Sequence, residues 1–391
     1  MKKDWEYKKL GEVCKTYAGG TPLKTCKEYY DGGTIPWLRS GEVCKKYIDS
    51  TELFITQKGM DNSSAKYYPV NTIVVAMYGA TAAQVGILKI ESTSNQAVCG
   101  ILPNDRFVPE FLFYWFTYIK DFLASQAQGG AQPNISQVKI KNLTTPIPPL
   151  SEQKEIVEYL DSSFAKIDKL KENAAKNLEE AKALFQSALK DALEPKEGWE
   201  EKTLKEVANY RRGSFPQPYG NSEWYDGEDS MPFVQVAELQ EDSFALIMPT
   251  KKRISKLAQP LSVFVPEGIV LVSLQGSIGK VGITQNNCYV DRTVAIFQSY
   301  KLPVDSHFFA YQLKERFAIE RLKARGTTIK TITKEEFANF TIMLPPLSEQ
   351  QSIVSFLDSL NEKVNTLQQN YSRICDECDA LKQAILRQVF E

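Results

Sequence analysis

The chain has 391 residues, 43% of them hydrophobic and 24% charged, a balance that excludes disorder and collagen-like structure and suits two or three folded domains. Forty-seven Lys and Arg against 48 Asp and Glu leave a formal charge of -1, so the chain as a whole is no indiscriminate polycation, and any nucleic-acid or lipid binding is local. One histidine, His307, and seven scattered cysteines exclude most imidazole-based catalysis and a disulfide-stapled secreted scaffold, and point to a reducing cytoplasm.

The N-terminal stretch Met1-Lys-Lys-Asp-Trp-Glu-Tyr has no apolar core for a signal peptide, and no run of about 18 apolar residues follows, so no membrane partner is expected. Residues 1–147 are rich in aromatic and β-branched residues broken by Gly, Pro and Asp-Gly turns, which predicts a β-rich lobe. Thr72-Ile-Val-Val-Ala-Met-Tyr reads as a buried strand, and Phe, Trp, Tyr and Leu at helical spacing predict a helix from about 109 to 124. Residues 148–198 begin Pro-Pro-Leu-Ser151-Glu-Gln. Ser151 is placed to cap a helix and Glu152 to complement its positive end.

The chain then repeats itself with a period near 196 residues. Trp5-Glu-Tyr-Lys-Lys-Leu-Gly-Glu-Val returns as Trp199-Glu-Glu-Lys-Thr-Leu-Lys-Glu-Val, and Glu28-Tyr-Tyr-Asp-Gly as Glu223-Trp-Tyr-Asp-Gly. Residues 199–344 form a second lobe with a strand in Gly268-Ile-Val-Leu-Val-Ser-Leu and a helix from about 306 to 323. Pro148-Pro-Leu-Ser-Glu-Gln153 recurs letter for letter at Pro345 to Gln350 and opens residues 345–391. There Ser348 and Gln351 form a capping box above Glu349. The fold class is α+β.

Ile353, Leu357, Leu360, Val364, Leu367, Tyr371, Ile374, Cys378, Leu381 and Ile385 step by four and three, a heptad seam. Subtracting 197 gives Ile156, Leu160, Ser163, Ile167, Leu170, Ala174, Asn177, Ala181, Leu184 and Ala188, with Asn177 as the polar residue that sets register. Large residues in one copy against small ones in the other suit an antiparallel intramolecular pair of helices, each roughly 60 Å long. Two separate dimerising helices are the alternative.

By segment, residues 1–147 carry +4 and 199–344 +1, while 148–198 and 345–391 carry -3 each. If nucleic acid binds, it therefore binds the lobes and not the acidic helices. The side chains suited to base edges lie in lobe turns: Lys24, Arg39, Gln84, Gln96 and Asn134 in the first copy, with Arg211, Arg212, Gln235, Lys280, Arg292 and Lys330 in the second. Repeat-related positions differ in chemistry, Arg39 against Gln235, Gln84 against Lys280 and Gln96 against Arg292, as two readers of different half-sites require.

No active site competes with this reading. Gly276-Ser-Ile-Gly-Lys280 lacks the first Gly and final Ser/Thr of a phosphate loop. Cys375 and Cys378 have zinc-like spacing but no second ligand pair, so packing in the heptad seam explains them better. His307 reads as structural or solvent-exposed. No metal site is expected.

The doubled Trp-Glu-x-x-x-Leu start, Pro36-Trp-Leu-Arg39 and Pro232-Phe-Val-Gln235, and the doubled Pro-Pro-Leu-Ser-Glu-Gln block resemble the specificity subunits of type I restriction-modification systems along essentially the whole chain. The resemblance implies two target recognition domains reading an asymmetric bipartite site in double-stranded DNA, with the helix pair as ruler. It implies two modification subunits carrying an adenine N6 methyltransferase with S-adenosylmethionine, and restriction subunits using ATP and Mg. No cofactor is expected in this chain. The helix starts, Ser151, Glu152, Gln153, Ser348, Glu349 and Gln350, are then candidate contacts for these partners. A coiled-coil scaffold whose lobes bind protein, and a fused modification or restriction enzyme, are alternatives; the latter lacks any catalytic Asn-Pro-Pro-Tyr motif.

Overall fold

A computed structural model describes residues 4–126, 134–241, 243–323 and 334–391. It divides into two units, one of residues 1–175 with 371–391, the other of 176–370. The division falls inside both long helices, so each unit holds one lobe, the start of one helix and the end of the other.

In the first unit, Thr16–Ala18, Val98–Ile101, Ile73–Ala76, Val85–Leu88 and Tyr47–Ile48 form a five-stranded sheet in that order, next to a three-stranded sheet of Leu53–Ile55, Ile35–Leu38 and Thr93–Ser94. The strand Ile73–Ala76 is buried on both faces, as its unbroken apolar run requires. The helix Pro109–Tyr118 opens with Pro at a first-turn position, where the missing N–H costs nothing, and buries Phe111, Leu112, Tyr114, Trp115 and Phe116. A second short helix, Lys120–Ser125, completes the expected span.

In the second unit, Ala208–Arg212, Val294–Tyr300, Val270–Ser273 and Val281–Ile283 make one four-stranded sheet, and Lys252–Ile254, Met231–Val234, Cys288–Val290 and Val263–Val265 another. The helix Ser306–Lys323 buries Phe308, Phe309, Tyr311, Leu313 and Phe317. In both lobes the N-terminal strand pairs antiparallel with the strand that leads into the long helix, Glu6–Lys9 with Thr144–Ile147 and Glu200–Thr203 with Thr341–Leu344. Among the described residues, no helix is long and apolar enough to cross a membrane.

The long helices are Leu150–Ala192 and Leu347–Phe390, and they pack antiparallel. In the first unit Lys171 bonds Asp379 at 2.9 Å and Lys382 bonds Asp168. Leu160 shares a core with Leu386, Val389 and Phe390, whose ring lies 5.6 Å from Phe111 and stacks on Tyr118 at 5.4 Å. In the second unit Phe185, Leu189 and Leu193 pack with Ile353, Leu357 and Val364.

Half of the expected seam shifts by one residue. Leu160, Ile167, Ala174 and Ala181 hold their places, but Phe164, Lys171, Leu178 and Phe185 turn inward where Ser163, Leu170, Asn177 and Leu184 were expected. Leu178 is buried while Asn177 is exposed, so Asn177 does not set the register. Leu170 and Leu184 are 53% and 63% exposed, and their repeat partners Leu367 and Leu381 are 40% and 49% exposed.

The helix starts also differ from expectation. Both helices begin one residue before the serine, at Leu150 and Leu347, and the carbonyls of Pro149 and Pro346 accept from the backbone N–H of Gln153 and Gln350 at 3.0 and 3.1 Å. Ser151 and Ser348 therefore sit in the first turn rather than at the cap, and Ser348 with Gln351 is not a capping box. Gln153 and Gln350 are fully buried. Gln153 Oε1 accepts from Val108 N at 2.8 Å, and its Nε2 donates to the carbonyls of Arg106 and Pro148. Gln350 repeats this with Asp305 N and the carbonyls of Pro303 and Pro345. With every polar atom occupied inside the fold, these two glutamines are not surface contacts for a partner, and they tie each long helix to its own lobe. Glu152 is partly committed as well, accepting from Trp5 Nε1 at 2.9 Å, and Glu349 lies 3.9 Å from Lys196.

A second tie lies about two turns further on. Tyr114 and Lys46 both donate to Asp161 in the first unit. Tyr311 donates to Asp358 at 2.7 Å in the second, where His307 Nδ1 lies 3.2 Å from the same carboxylate. Burial and the adjacent carboxylate push both tyrosine hydroxyls well above their usual range, so they stay protonated donors. His307 is thus a partly exposed structural residue, with a partner 51 residues away that its sequence neighbourhood does not show.

Candidate nucleic-acid interface

Strand direction decides where the lobe loops go. In the first lobe Ala18 ends its strand opposite Cys99, the second residue of a strand that starts at Val98, Ala76 ends opposite Val98, and Val75, one residue before that end, lies opposite Val85, which starts its own strand. Leu38 and Ser94 end parallel neighbours, and the chain runs on from Ser94 into Val98. The loops 19–26, 39–46, 77–84 and 95–97 therefore emerge at one end of the two sheets. Four backbone bonds stitch them: Gly19 N to Val98 O at 3.1 Å, Gly20 N to Ser94 O at 2.9 Å, Met77 N to Ala97 O at 2.8 Å and Asn95 N to Leu38 O at 2.9 Å.

The second lobe makes the same four bonds at the repeat-related positions. They are Gly213 N to Val294 O at 3.0 Å, Ser214 N to Val290 O at 3.1 Å, Leu274 N to Thr293 O at 2.9 Å and Asp291 N to Val234 O at 2.9 Å. A Cβ on Gly19 would lie 2.2 Å from Ser94 Oγ, and one on Gly213 2.1 Å from the Val290 carbonyl. Only glycine permits this approach. The turn after the central strand is held by a carboxylate in both lobes. Glu42 accepts from Arg39 N at 2.8 Å and Glu52 N at 2.7 Å, and buried Glu238 accepts from Gln235 N at 2.9 Å and Lys251 N at 3.2 Å.

On this frame the candidate side chains come together. Arg39 lines a concavity of about 690 Å³ with Lys45, Asn95 and Glu52, and Gln235 and Arg292 line one of about 490 Å³ with Tyr219, Gln275 and Asp291. The two concavities are repeat-related, since Asn95 and Asp291 occupy the same loop position. Gln96 is exposed beside Asn95 and is bonded by the Thr21 hydroxyl. Gln84 and Lys280 close the equivalent strand turns, and Asn134 bridges to Tyr78 at the same edge. Lys24 is exposed in the loop that follows Gly19-Gly20, and Arg211 and Arg212 end the strand before Gly213. Lys330 lies outside the described residues.

The two concavities differ in charge state. The Arg39 guanidinium is tied to Glu52 and lies 3.5 Å from Glu42, so it must exchange partners to reach a base. Arg292 stands over the Tyr219 ring at 5.3 Å. Asn95, Asp291 and Tyr219 escape a search for base-reading residue types. The repeat alignment of Asn95 with Asp291 is a usable signal for the first two, whereas nothing in Pro216-Gln-Pro-Tyr219 marks the tyrosine. Among the described residues no group of His, Cys, Asp and Glu could hold a metal ion, and Cys378 is buried within the helix pair.

Comparison with known proteins agrees with this doubled architecture. The chain is 27% identical over 391 aligned residues to the Type I restriction enzyme MjaIX specificity subunit of Methanocaldococcus jannaschii, covering 93% of this chain and 88% of the relative. With the EcoR124I/EcoR124II specificity subunit of Escherichia coli it shares 29% identity over 179 residues, 44% of each chain. A chain from a solved type I R-M system superposes on 100% of this one with a TM-score of 0.79 at 22% identity, covering 98% of its own length, a likeness of fold. The family described as Type I restriction modification DNA specificity domain matches residues 2–180 and again 196–374, and the chain belongs to that family as a type I restriction-modification specificity subunit.

Proposed function

We propose that each lobe reads one half of an asymmetric bipartite site in double-stranded DNA, and that the helix pair sets the distance between the halves. The observation that carries this is the pair of identically stitched loop frames, which present Arg39, Gln84 and Gln96 in one lobe and Gln235, Lys280 and Arg292 in the other. A shared backbone with different donors and acceptors is what two different base sequences need. The chain itself is non-catalytic in this reading. Methyl transfer with S-adenosylmethionine belongs to two modification subunits, and cleavage with ATP and Mg to restriction subunits.

The helices offer the modification subunits two equivalent surfaces. In the first unit Tyr159, Leu170 and Leu381 are exposed, and in the second Phe356, Leu367 and Leu184, each the repeat counterpart of the other. The ion pairs Lys171–Asp379 and Asp168–Lys382 bring Leu170 level with Leu381, and each leucine precedes an inward-facing residue, so both flank the pair on one side. Exposed apolar groups gathered this way mark protein contacts. Ser151, Glu152, Ser348 and Glu349 lie at the starts of the same helices and remain candidate contacts.

Replacing residues 1–147 by the corresponding lobe of another specificity subunit tests the two-reader scheme. The reconstituted complex should bind and methylate a site changed in one half only. A change in both halves, or in neither, contradicts separate readers and favours lobes that bind protein.

A further inference from the structure

Among the described residues, Arg292 is the candidate reader that rests on an aromatic face. Its guanidinium carbon lies 5.3 Å from the centre of the Tyr219 ring. Tyr219 packs on Phe215 at 4.9 Å, and Phe215 on Tyr225 at 5.2 Å and on fully buried Phe233 at 4.7 Å. Tyr225 Oη donates to the Tyr219 carbonyl at 2.9 Å, which holds the ring from its backbone side. The column is thus rooted in the lobe core. Among the described residues no carboxylate pairs with Arg292, in contrast to Arg39. A guanidinium lying on an aromatic face keeps its planar N–H edge available for two parallel hydrogen bonds.

The neighbouring residue supplies the opposite polarity. Asp291 Oδ1 accepts from Thr293 N at 2.9 Å and from Thr293 Oγ1 at 2.5 Å. Its Oδ2 is buried without a hydrogen-bond partner, in a residue that is 2% exposed and lines the same concavity. A buried acceptor left without a donor is costly unless a ligand or water satisfies it. The first lobe places neutral Asn95 here, whose Oδ1 accepts from Ala97 N at 3.2 Å, so the loop does not need the charge for its own shape.

In the major groove, two adjacent acceptors fit a guanidinium fork at guanine O6 and N7, and the donor beside them is the N4 amino group of the paired cytosine. We infer that the second lobe reads a G·C pair, Arg292 bonding the guanine and Asp291 accepting from the cytosine amino group directly or through one water, with Tyr219 as the residue that positions Arg292. This rests on the reading of the lobe as a half-site reader.

The test uses the full chain with its modification subunits, mapping methylated adenines in cells and measuring competition by duplexes altered at one base pair. Arg292→Ala should lower discrimination at one G·C pair by about 10- to 100-fold and leave the other half-site intact, which also reports that the variant folds. Asp291→Asn, which retains the Oδ1 acceptor, should relax the same pair. Tyr219→Ala should relax it too, whereas Tyr219→Phe, which keeps the ring, should not. Full discrimination in Arg292→Ala or in Asp291→Asn, or relaxation of different pairs by these two, overturns the inference. Absence of any split motif with the wild-type chain contradicts the underlying reading instead.

Discussion

Gln153 and Gln350 show how one residue type does the same work twice. Each is fully buried at the start of a long helix, and each closes three hydrogen bonds to backbone groups of the lobe before it. Truncation leaves buried amide and carbonyl groups without partners, at about 1–3 kcal/mol apiece where water cannot replace the side chain. Gln153→Ala is expected to lower stability by about 2–4 kcal/mol on that basis, read by chemical denaturation of the purified chain, while exposed Ser151→Ala stays within about 0.5 kcal/mol of wild type. Equal effects of the two substitutions would show that the glutamine is not the tie described. At this scale the sequence is a partial guide. The doubled Ser-Glu-Gln block announces that these positions matter, but the same letters suit a docking surface and a buried clamp, and only the partners at Arg106, Val108 and Pro148 distinguish them.

The long helices carry the next level. Their spans are legible because a heptad pattern persists over more than forty residues, and Leu150–Ala192 and Leu347–Phe390 lie within a few residues of the expectation. The inward face was legible only in half of its positions. A seam chosen for hydrophobicity takes Leu170 and Leu184, whereas the inward positions hold Lys171, whose stem packs while its ammonium pairs with Asp379, and Phe185. Leucine does not reveal whether it faces its own fold or another protein. Leu178→Ala is expected to cost about 2–4 kcal/mol, the range for a buried leucine, and Asn177→Leu almost nothing. Leu170→Lys with Leu381→Lys should leave the denaturation midpoint nearly unchanged and yet remove one modification subunit from the complex, measured by native mass spectrometry. Loss of stability in the lysine pair, or full assembly with it, would contradict the assignment of these leucines to a docking surface.

At the scale of the molecule, duplication explains what the composition conceals. A chain with a net charge of -1 still has lobes of net positive charge, because its excess of acid is gathered in the long helical segments, and the lobe loops leave at one end of the sheets. The α+β class, the two lobes and their helices follow from the repeat itself, since the repeated blocks mark equivalent turns and starts. The loop frame was not legible, because Gly19, Gly213, Glu42 and Glu238 act through close approach and backbone hydrogen bonds that have no periodicity. Nor was the aromatic column under Arg292, built from residues spread between Phe215 and Phe233.

The central claim is that this one chain chooses a split DNA site through two separate readers. Genome-wide mapping of methylated adenines, in cells with the gene and its modification partners and in cells lacking only this gene, tests it most directly. The account predicts that one asymmetric motif, two short halves around a fixed unspecified spacer, is methylated only when the chain is present. Methylation of a continuous or palindromic motif, or an identical pattern with and without the chain, would contradict it.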